Sequence, residues 1–298
     1  MKPLASVLTG QIIKMAKFNK GFTLVELVIV IVISGILATV VGPIVMGTFT
    51  NYTNTSRRVA IVDAAEASMR QITRDVRDAI PNTLRTNGTV IELMPIRGGG
   101  RYRYSDTASD NTALTPGALD SQFRMLGNMT SLPTSPRVVV YNTGATQFYL
   151  AATSGGFGII TPTSTTVSLT DTINAASDDE DTLSLSTAFQ FDMVGSGSPA
   201  KRFYIATSPV TYHCDTGLGS IVRYEGYSTS IAQPINRGAA PLSSATSSAV
   251  LVNNVSACSF SYTTGSNSRA GLLVMEMTIT IDGEFINLLH QVHLGNAP

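Results

Sequence analysis

The first part of the chain that stands out is a long apolar run from Phe22 to Met46. A helix of about 23 residues is about 35 Å long, which is enough to cross a bilayer. The run contains few side chains with strongly polar groups: Thr23, Glu26, Ser34 and Thr39. The pattern therefore predicts a membrane-spanning helix, or one surrounded by other apolar helices, over 22–46.

Beyond this run the pattern becomes amphipathic. Apolar residues recur at spacings of three and four, which is typical of one helix face, at Val62, Ala65, Met69, Ile72, Val76 and Ala79. The other faces are predicted to carry Arg70, Arg74, Arg77 and Asp75, and Pro81-Asn82 ends the pattern. We expect one helix over 22–80, about 88 Å long, whose second half, 47–80, packs on a folded domain.

Gly42-Pro43 lies inside the predicted helix. Proline lacks the backbone N–H and clashes with the preceding turn near the carbonyl of Thr39, so we expect a kink or a locally melted turn. The pair is either a proline tolerated in a membrane helix or a flexible joint used when the helix changes surroundings.

After Pro81 the pattern is that of β-strands. Segments rich in Val, Ile, Tyr, Phe and Thr, separated by Gly, Pro, Asn and Ser, predict strands at 89–96, 101–104, 137–143, 147–153, 181–186, 201–207, 209–215, 220–226 and 258–264. Arg97–Arg101 is predicted to be a hairpin turn, and 144–181 to contain long loops. The fold class is therefore α+β, with a long helix packed on an antiparallel β-rich head over 81–298.

The clearest β unit is a predicted hairpin near the end of the chain. Apolar residues alternate along its first strand at Leu273, Met275, Met277, Ile279 and Ile281. Asp282-Gly283 predicts a tight turn. The returning strand places one face at Ile286, Leu288, Val292 and Leu294, with His290 between them.

The formal charge is balanced at 20 basic and 20 acidic residues, but the distribution is uneven. Residues 1–21 hold four lysines and no acid, which leaves 16 basic and 20 acidic residues after Gly21, a net charge of −4. A mildly acidic body argues against nucleic-acid binding. The lysines before the apolar run predict a cytoplasmic N-terminus and a head outside the cytoplasm. Cys214 and Cys258 would then form a disulfide, the alternative being two buried thiols.

Candidate chemical sites are weak. His290 and His293, three apart on a strand, face opposite sides, and Cys214 beside His213 is better used in a disulfide. The acidic run 178–181 lacks the ligand spacing of a calcium loop. Segment 97–101 is not followed by a predicted helix whose N-terminus could bind a phosphate. Segment 195–199 lacks the G-x-S-x-G pattern of a nucleophile elbow. We therefore expect no catalytic, metal or cofactor site, and no enzyme.

The stretch Lys20–Glu26, KGFTLVE, with lysines before it and the apolar run after it, resembles the class III signal of type IV prepilins and type II secretion pseudopilins. The resemblance implies a basic leader over 1–21, cleavage between Gly21 and Phe22 by a prepilin peptidase, and N-methylation of Phe22 by the same enzyme. It implies that Glu26 serves in assembly and that Gly42-Pro43 is the family's helix break. Because a 21-residue leader is long, Met15 is the predicted start of translation.

The C-terminal third resembles one branch of the family, the large minor pilins of the mannose-sensitive haemagglutinin (MSHA) pilus, the MshO type, in segments 208–227, 251–264 and 286–298. This implies a minor pilin that waits in the inner membrane with its head in the periplasm. It then joins a pilus at the cell surface. The implied partners are the peptidase, other major and minor pilins, the inner-membrane assembly platform and membrane lipid. A tip adhesin with its binding region in the Thr- and Ser-rich middle, a J-type secretion pseudopilin and an anchored exported enzyme are the alternatives.

Overall fold

The computed structural model describes residues 21–105, 112–115, 117–156, 158–170, 180–192, 197–265 and 270–295. Outside these ranges lie residues 1–20 of the expected leader over 1–21, with Met15. The first two residues of the acidic run, 195–196 and the last three residues of the chain also lie outside them. The chain divides between Arg57 and Arg58 into two compact units.

A single helix, α1, extends from Leu24 to Arg77 and belongs to both units. It is slightly shorter at both ends than the predicted 22–80. The basic residues Arg74 and Arg77 lie in its last turn, where they interact favourably with the helix dipole. The helix continues through Gly42 and Pro43, so the alternative of a locally melted turn at this pair is wrong.

The second unit adds a second helix, α2 (Ala145–Ser154), a short 3-10 helix (Leu242–Ser244) and many strands. The described strands are β1 (Arg85–Asn87), β2 (Val90–Leu93), β3 (Gly98–Tyr102), β4 (Leu119–Leu126), β5 (Arg137–Val140), β6 (Val167–Thr170), β7 (Thr182–Gln190), β8 (Arg202–Ala206), β9 (Val210–Asp215), β10 (Ser220–Glu225), β11 (Ser247–Asn253), β12 (Val255–Thr263), β13 (Gly271–Ile281) and β14 (Glu284–Leu294).

The strands form three sheets. Sheet I has the order β1-β2-β9-β10-β11, sheet II has the order β12-β13-β14, and sheet III has the order β5-β8-β3-β4-β7-β6. Neighbouring strands pair in antiparallel fashion throughout. The predicted α+β class, with a long N-terminal helix and antiparallel sheets, is confirmed.

The last part of α1, over 61–76, packs on sheets I and II, whereas 48–60 is exposed. Its buried face contains Ile61, Ala65, Met69, Ile72 and Val76, which share one core with both sheets. Ile61 takes the place predicted for Val62. Sheet III has a core of its own, and α2 packs with residues of sheet III in a third cluster.

Two local predictions in the head are wrong. Segment 147–153, predicted as a strand, lies in α2, because Phe148, Tyr149 and Ala152 are buried at helical spacing. The predicted turn at 97–101 is mostly β3. There a Cβ at Gly99 would lie 2.7 Å from the carbonyl oxygen of Phe203, so glycine permits the close approach of β8.

Several strands had no sequence prediction. β1, β4, β6 and β11 lie where the pattern gave none, and β6 lies inside the segment expected to be loops, as α2 does. β1 and β6 have only three and four residues, too few for a periodicity to show.

The β13–β14 hairpin has the predicted form. The register pairs Ile281 with Glu284 and ends with Gly271 paired to Leu294, without a bulge. Asp282 and Gly283 have φ values of 52° and 83°, as a type I′ turn requires at both central positions.

Candidate functional site

The described part of the N-terminal signal begins in non-helical backbone and ends in the first turn of α1. Gly21, Phe22 and Thr23 precede the helix, which starts at Leu24. Phe22 is 78% exposed, and no atom lies within 4 Å of the place where a Cβ on Gly21 would be. The Gly21–Phe22 bond therefore lies in accessible, non-helical chain, as a protease requires of its substrate.

Thr23 caps the helix. Its Oγ1 accepts a hydrogen bond from the backbone N–H of Glu26 at 3.2 Å. Thr23 and Glu26 thus occupy the first and last positions of a capping-box sequence, Thr-x-x-Glu, which lies before an apolar run and which the sequence reasoning did not use. The carboxylate of Glu26 also lies in the first helical turn, where the helix dipole favours a negative charge.

The helix that follows is apolar and uncovered. Large hydrophobic side chains from Phe22 to Phe49 are exposed, with fractions between 42% at Val45 and 81% at Leu24. The helix is long and apolar enough to cross a membrane, with a mean hydropathy of 2.8 over its most apolar 18 residues. Glu26 is the only acidic residue between Phe22 and Met46.

Cys214 on β9 and Cys258 on β12 form a disulfide, with their Cα atoms 6.6 Å apart and a sequence separation of 44. It connects sheet I to sheet II on the side where both pack against α1. His213 contacts the carbonyl oxygen of Ile235 at 3.0 Å, and His290 and His293 lie on opposite faces of β14. Within the described ranges no group of three His, Cys, Asp or Glu side chains is placed to hold a metal ion.

A chain of ion pairs in the head was missed by the sequence reasoning. Asp75 of α1 accepts hydrogen bonds from the Tyr212 hydroxyl at 2.5 Å and from Arg223 Nε at 2.9 Å. Arg223 also pairs with Glu225, and Glu225 pairs with Arg97. Asp75 had been assigned to an outer helix face. It is instead partly buried, because β9 and β10 pack beside that turn of α1.

A second polar cluster lies deeper. Glu92 is fully buried and accepts hydrogen bonds from Arg85 Nε at 2.6 Å and from the Tyr227 hydroxyl at 3.1 Å. The Arg85 guanidinium stacks 3.6 Å from the centre of the Tyr149 ring. Burial raises the pKa of Glu92 above its ordinary value, and the Arg85 charge opposes that rise. Sequence spacing does not reveal either cluster as a whole, because Tyr212 lies 137 residues from Asp75 and Tyr227 lies 135 residues from Glu92.

Comparison with known families bears on the first of these features. Residues 17–42 match the family model of the prokaryotic N-terminal methylation motif. The match spans residues 17–20, the Gly21–Phe22 bond, Glu26 and the apolar helix as far as Gly42. The methylation motif supports the resemblance to type IV prepilins and pseudopilins. It does not extend to the head or to a particular pilin type.

No curated protein and no solved structure was found to match the chain. The functional conclusion therefore depends on the methylation motif and on the structure around it.

Proposed function

We propose that the protein is a minor pilin, a structural subunit for the biogenesis of a type IV pilus. The observation that carries the proposal is the methylation motif over 17–42, in which the exposed residues 21–23 lead into an uncovered apolar helix. A prepilin peptidase cuts between Gly21 and Phe22 and methylates the new amine. The precursor is held in the inner membrane by α1, and after assembly the same helix contacts other pilins.

Glu26 has a role in assembly under this proposal. A lone carboxylate in an apolar segment costs about 2.5–3.5 kcal/mol on insertion scales. A neighbouring subunit's Phe22 amine offsets that cost by pairing with it. The charge thereby sets the position of one subunit against the next.

The test compares Glu26→Ala with Glu66→Ala, another exposed acid of α1, which pairs with Arg70 at 3.0 Å. Both variants should be processed to a methylated Phe22, as shown by mass spectrometry. Only Glu26→Ala should be missing from sheared surface filaments. The proposal fails if wild-type protein is absent from those filaments or keeps its leader. The role of Glu26 fails if both variants enter filaments equally.

The pilin type rests on the C-terminal resemblance. We assign the chain to the MshO type of the MSHA system, with a J-type secretion pseudopilin as the alternative that shares the same N-terminal features. A clean deletion separates them, since loss of pili supports the first and loss of protein secretion with normal pili supports the second. Translation from Met15 is part of the proposal, and the mass of uncleaved precursor from a peptidase-deficient host tests it.

A further inference from the structure

A groove of about 830 Å³ opens on the head between sheet I and sheet III. One wall comes from the ends of β10 and β11, at Glu225–Ser228 and at Ser244, Thr246 and Ser247. The other comes from the segments beside sheet III, at Arg97, Pro133–Ser135 and Thr207–Ser208. Its volume lies in the range of known ligand sites, which occur preferentially between packed structural units.

Small hydroxyl side chains dominate the lining. Seven of them have no side-chain hydrogen bond to any described residue: Thr134, Ser135, Thr207, Ser208, Ser228, Thr246 and Ser247. Each hydroxyl can donate one hydrogen bond and accept two. The groove therefore offers both donors and acceptors along its length, with two acceptor positions for each donor.

The groove carries no net charge. Its one cation, Arg97, pairs with its one carboxylate, Glu225, whose second oxygen accepts from Arg223 at 2.5 Å. An anionic ligand would have to compete with Glu225 for Arg97, and a metal ion would find a single carboxylate that two arginines already hold. The chemistry favours an uncharged ligand.

Contacts within the protein hold the wall that comes from the ends of β10 and β11 in one conformation without a ligand. Gly226 has a φ of 77°, and a Cβ there would lie 1.9 Å from Thr246 Oγ1. The Thr246 N–H donates to the Gly226 carbonyl at 3.3 Å, and the Tyr227 hydroxyl is held by Thr211 and Glu92. Such preorganisation lowers the cost of ordering the site on binding.

We propose that this groove binds a neutral saccharide. A sugar presents hydroxyls that both donate and accept, which matches the lining, and C–H faces that can contact Pro133 and the methyl groups of the threonines. The location differs from the expectation of a binding region in the Thr- and Ser-rich middle, because the groove is lined from other segments. The proposal is independent of assembly, which uses the N-terminal helix.

The test uses the full chain in detergent on an array of neutral and anionic oligosaccharides. Ser247→Trp places an indole in the groove, and Ser248→Trp is its matched control, because adjacent strand residues point to opposite sides and Ser248 does not line the groove. We expect binding to neutral sugars, weakened about tenfold or more by Ser247→Trp and unchanged in Ser248→Trp. A second pair, Thr134→Trp against Ser131→Trp in the same loop, should behave in the same way.

Three results would overturn the proposal. These are no binding of any neutral saccharide on the array, equal binding by the groove variants and their controls, and binding of a neutral Ser/Thr-rich peptide in place of sugars. Filament entry should be the same for all four variants, so a failure here leaves the proposed pilin function standing, and a failure of assembly leaves this proposal testable.

Discussion

At the scale of single residues, the buried carboxyl of Glu92 has the clearest consequence. Desolvation raises its pKa, and the hydrogen bonds from Arg85 and Tyr227 only partly oppose this. The folded protein therefore binds the Glu92 proton more tightly than the unfolded chain does. The resulting stabilisation is fully present below the ordinary pKa of 4.5 and is lost as pH rises through the raised folded value.

We predict that Glu92→Gln removes this pH dependence, because an amide of the same shape does not titrate. As pH rises above 4.5, the free energy of unfolding should fall more steeply in the wild type than in the variant. Urea unfolding at a series of pH values between about pH 4 and about pH 8, followed by circular dichroism, measures the two slopes. Glu66→Gln, which removes an exposed carboxylate of α1, is the control for the loss of one carboxylate. Identical slopes in Glu92→Gln and wild type would contradict the prediction.

Two glycines with left-handed backbone provide a second residue-scale prediction. Gly226→Ala meets both an unfavourable φ and the Thr246 hydroxyl, whereas Gly88→Ala, at φ 58°, has nothing within 4 Å of its new Cβ. We expect Gly88→Ala to cost about 1–2 kcal/mol and Gly226→Ala about 2–5 kcal/mol. Urea unfolding measures both, and equal losses would show that the contact with Thr246 yields without cost.

At the scale of elements, the register of the β13–β14 hairpin determines which backbone groups form hydrogen bonds between the two strands. In a hairpin with a two-residue turn, the flanking pair Ile281 and Glu284 exchange hydrogen bonds, and bonded pairs then recur at every second position. His290 therefore bonds to β13, whereas the N–H of Gln291 points away from it. Among the described strands, β14 has no neighbour on that outer side.

We predict that proline is tolerated at Gln291 and not at His290. Gln291→Pro removes an N–H that faces solvent, which edge strands permit. His290→Pro removes a bond to β13 and leaves the carbonyl of Met275 without its donor, so it should cost about 2–3 kcal/mol more. The midpoints of urea unfolding report the difference, with Gln291→Ala as the control for the lost side chain. The reverse order of stability would mean that the hydrogen-bonding register is displaced by one residue.

At the scale of the whole molecule, α1 takes part in two different environments. Ile72 is fully buried in the core shared with sheets I and II, whereas Ile31 is 62% exposed. The second unit can therefore gain stability from the burial of Ile72, and it gains none from burial at Ile31.

The same substitution at these two sites should separate the two roles. Ile72→Ala should lower the free energy of unfolding of the head by about 2–5 kcal/mol, and Ile31→Ala should change it by less than about 0.5 kcal/mol. Because the chain has no tryptophan, tyrosine fluorescence or circular dichroism in detergent is the measurement. A loss at Ile31 as large as that at Ile72 would contradict this division of the helix.

The elements that the sequence predicted best are those whose signal is local. The 54-residue helix, the Asp282-Gly283 hairpin and the methylation motif each lie within one contiguous segment, where spacing alone carries the information. Segment 147–153 was wrongly predicted as a strand because it contains residues that favour strands. The same residues also have helical spacing, and packing against sheet III selected the helix. The burial of Asp75 followed from β9 and β10, which lie more than 130 residues further along the chain.

By itself, then, the sequence determined the long apolar helix, the methylation motif and the α+β class, because helical period, strand alternation and a short linear motif are properties of neighbouring residues. Only the tertiary structure decided where the head carries its buried charges and its groove. Arg97 and Glu225 stand 128 residues apart, and they meet where the end of β10 in sheet I lies beside the residue that precedes β3 of sheet III. Contacts of that kind depend on the order of strands in the sheets, which no local pattern encodes.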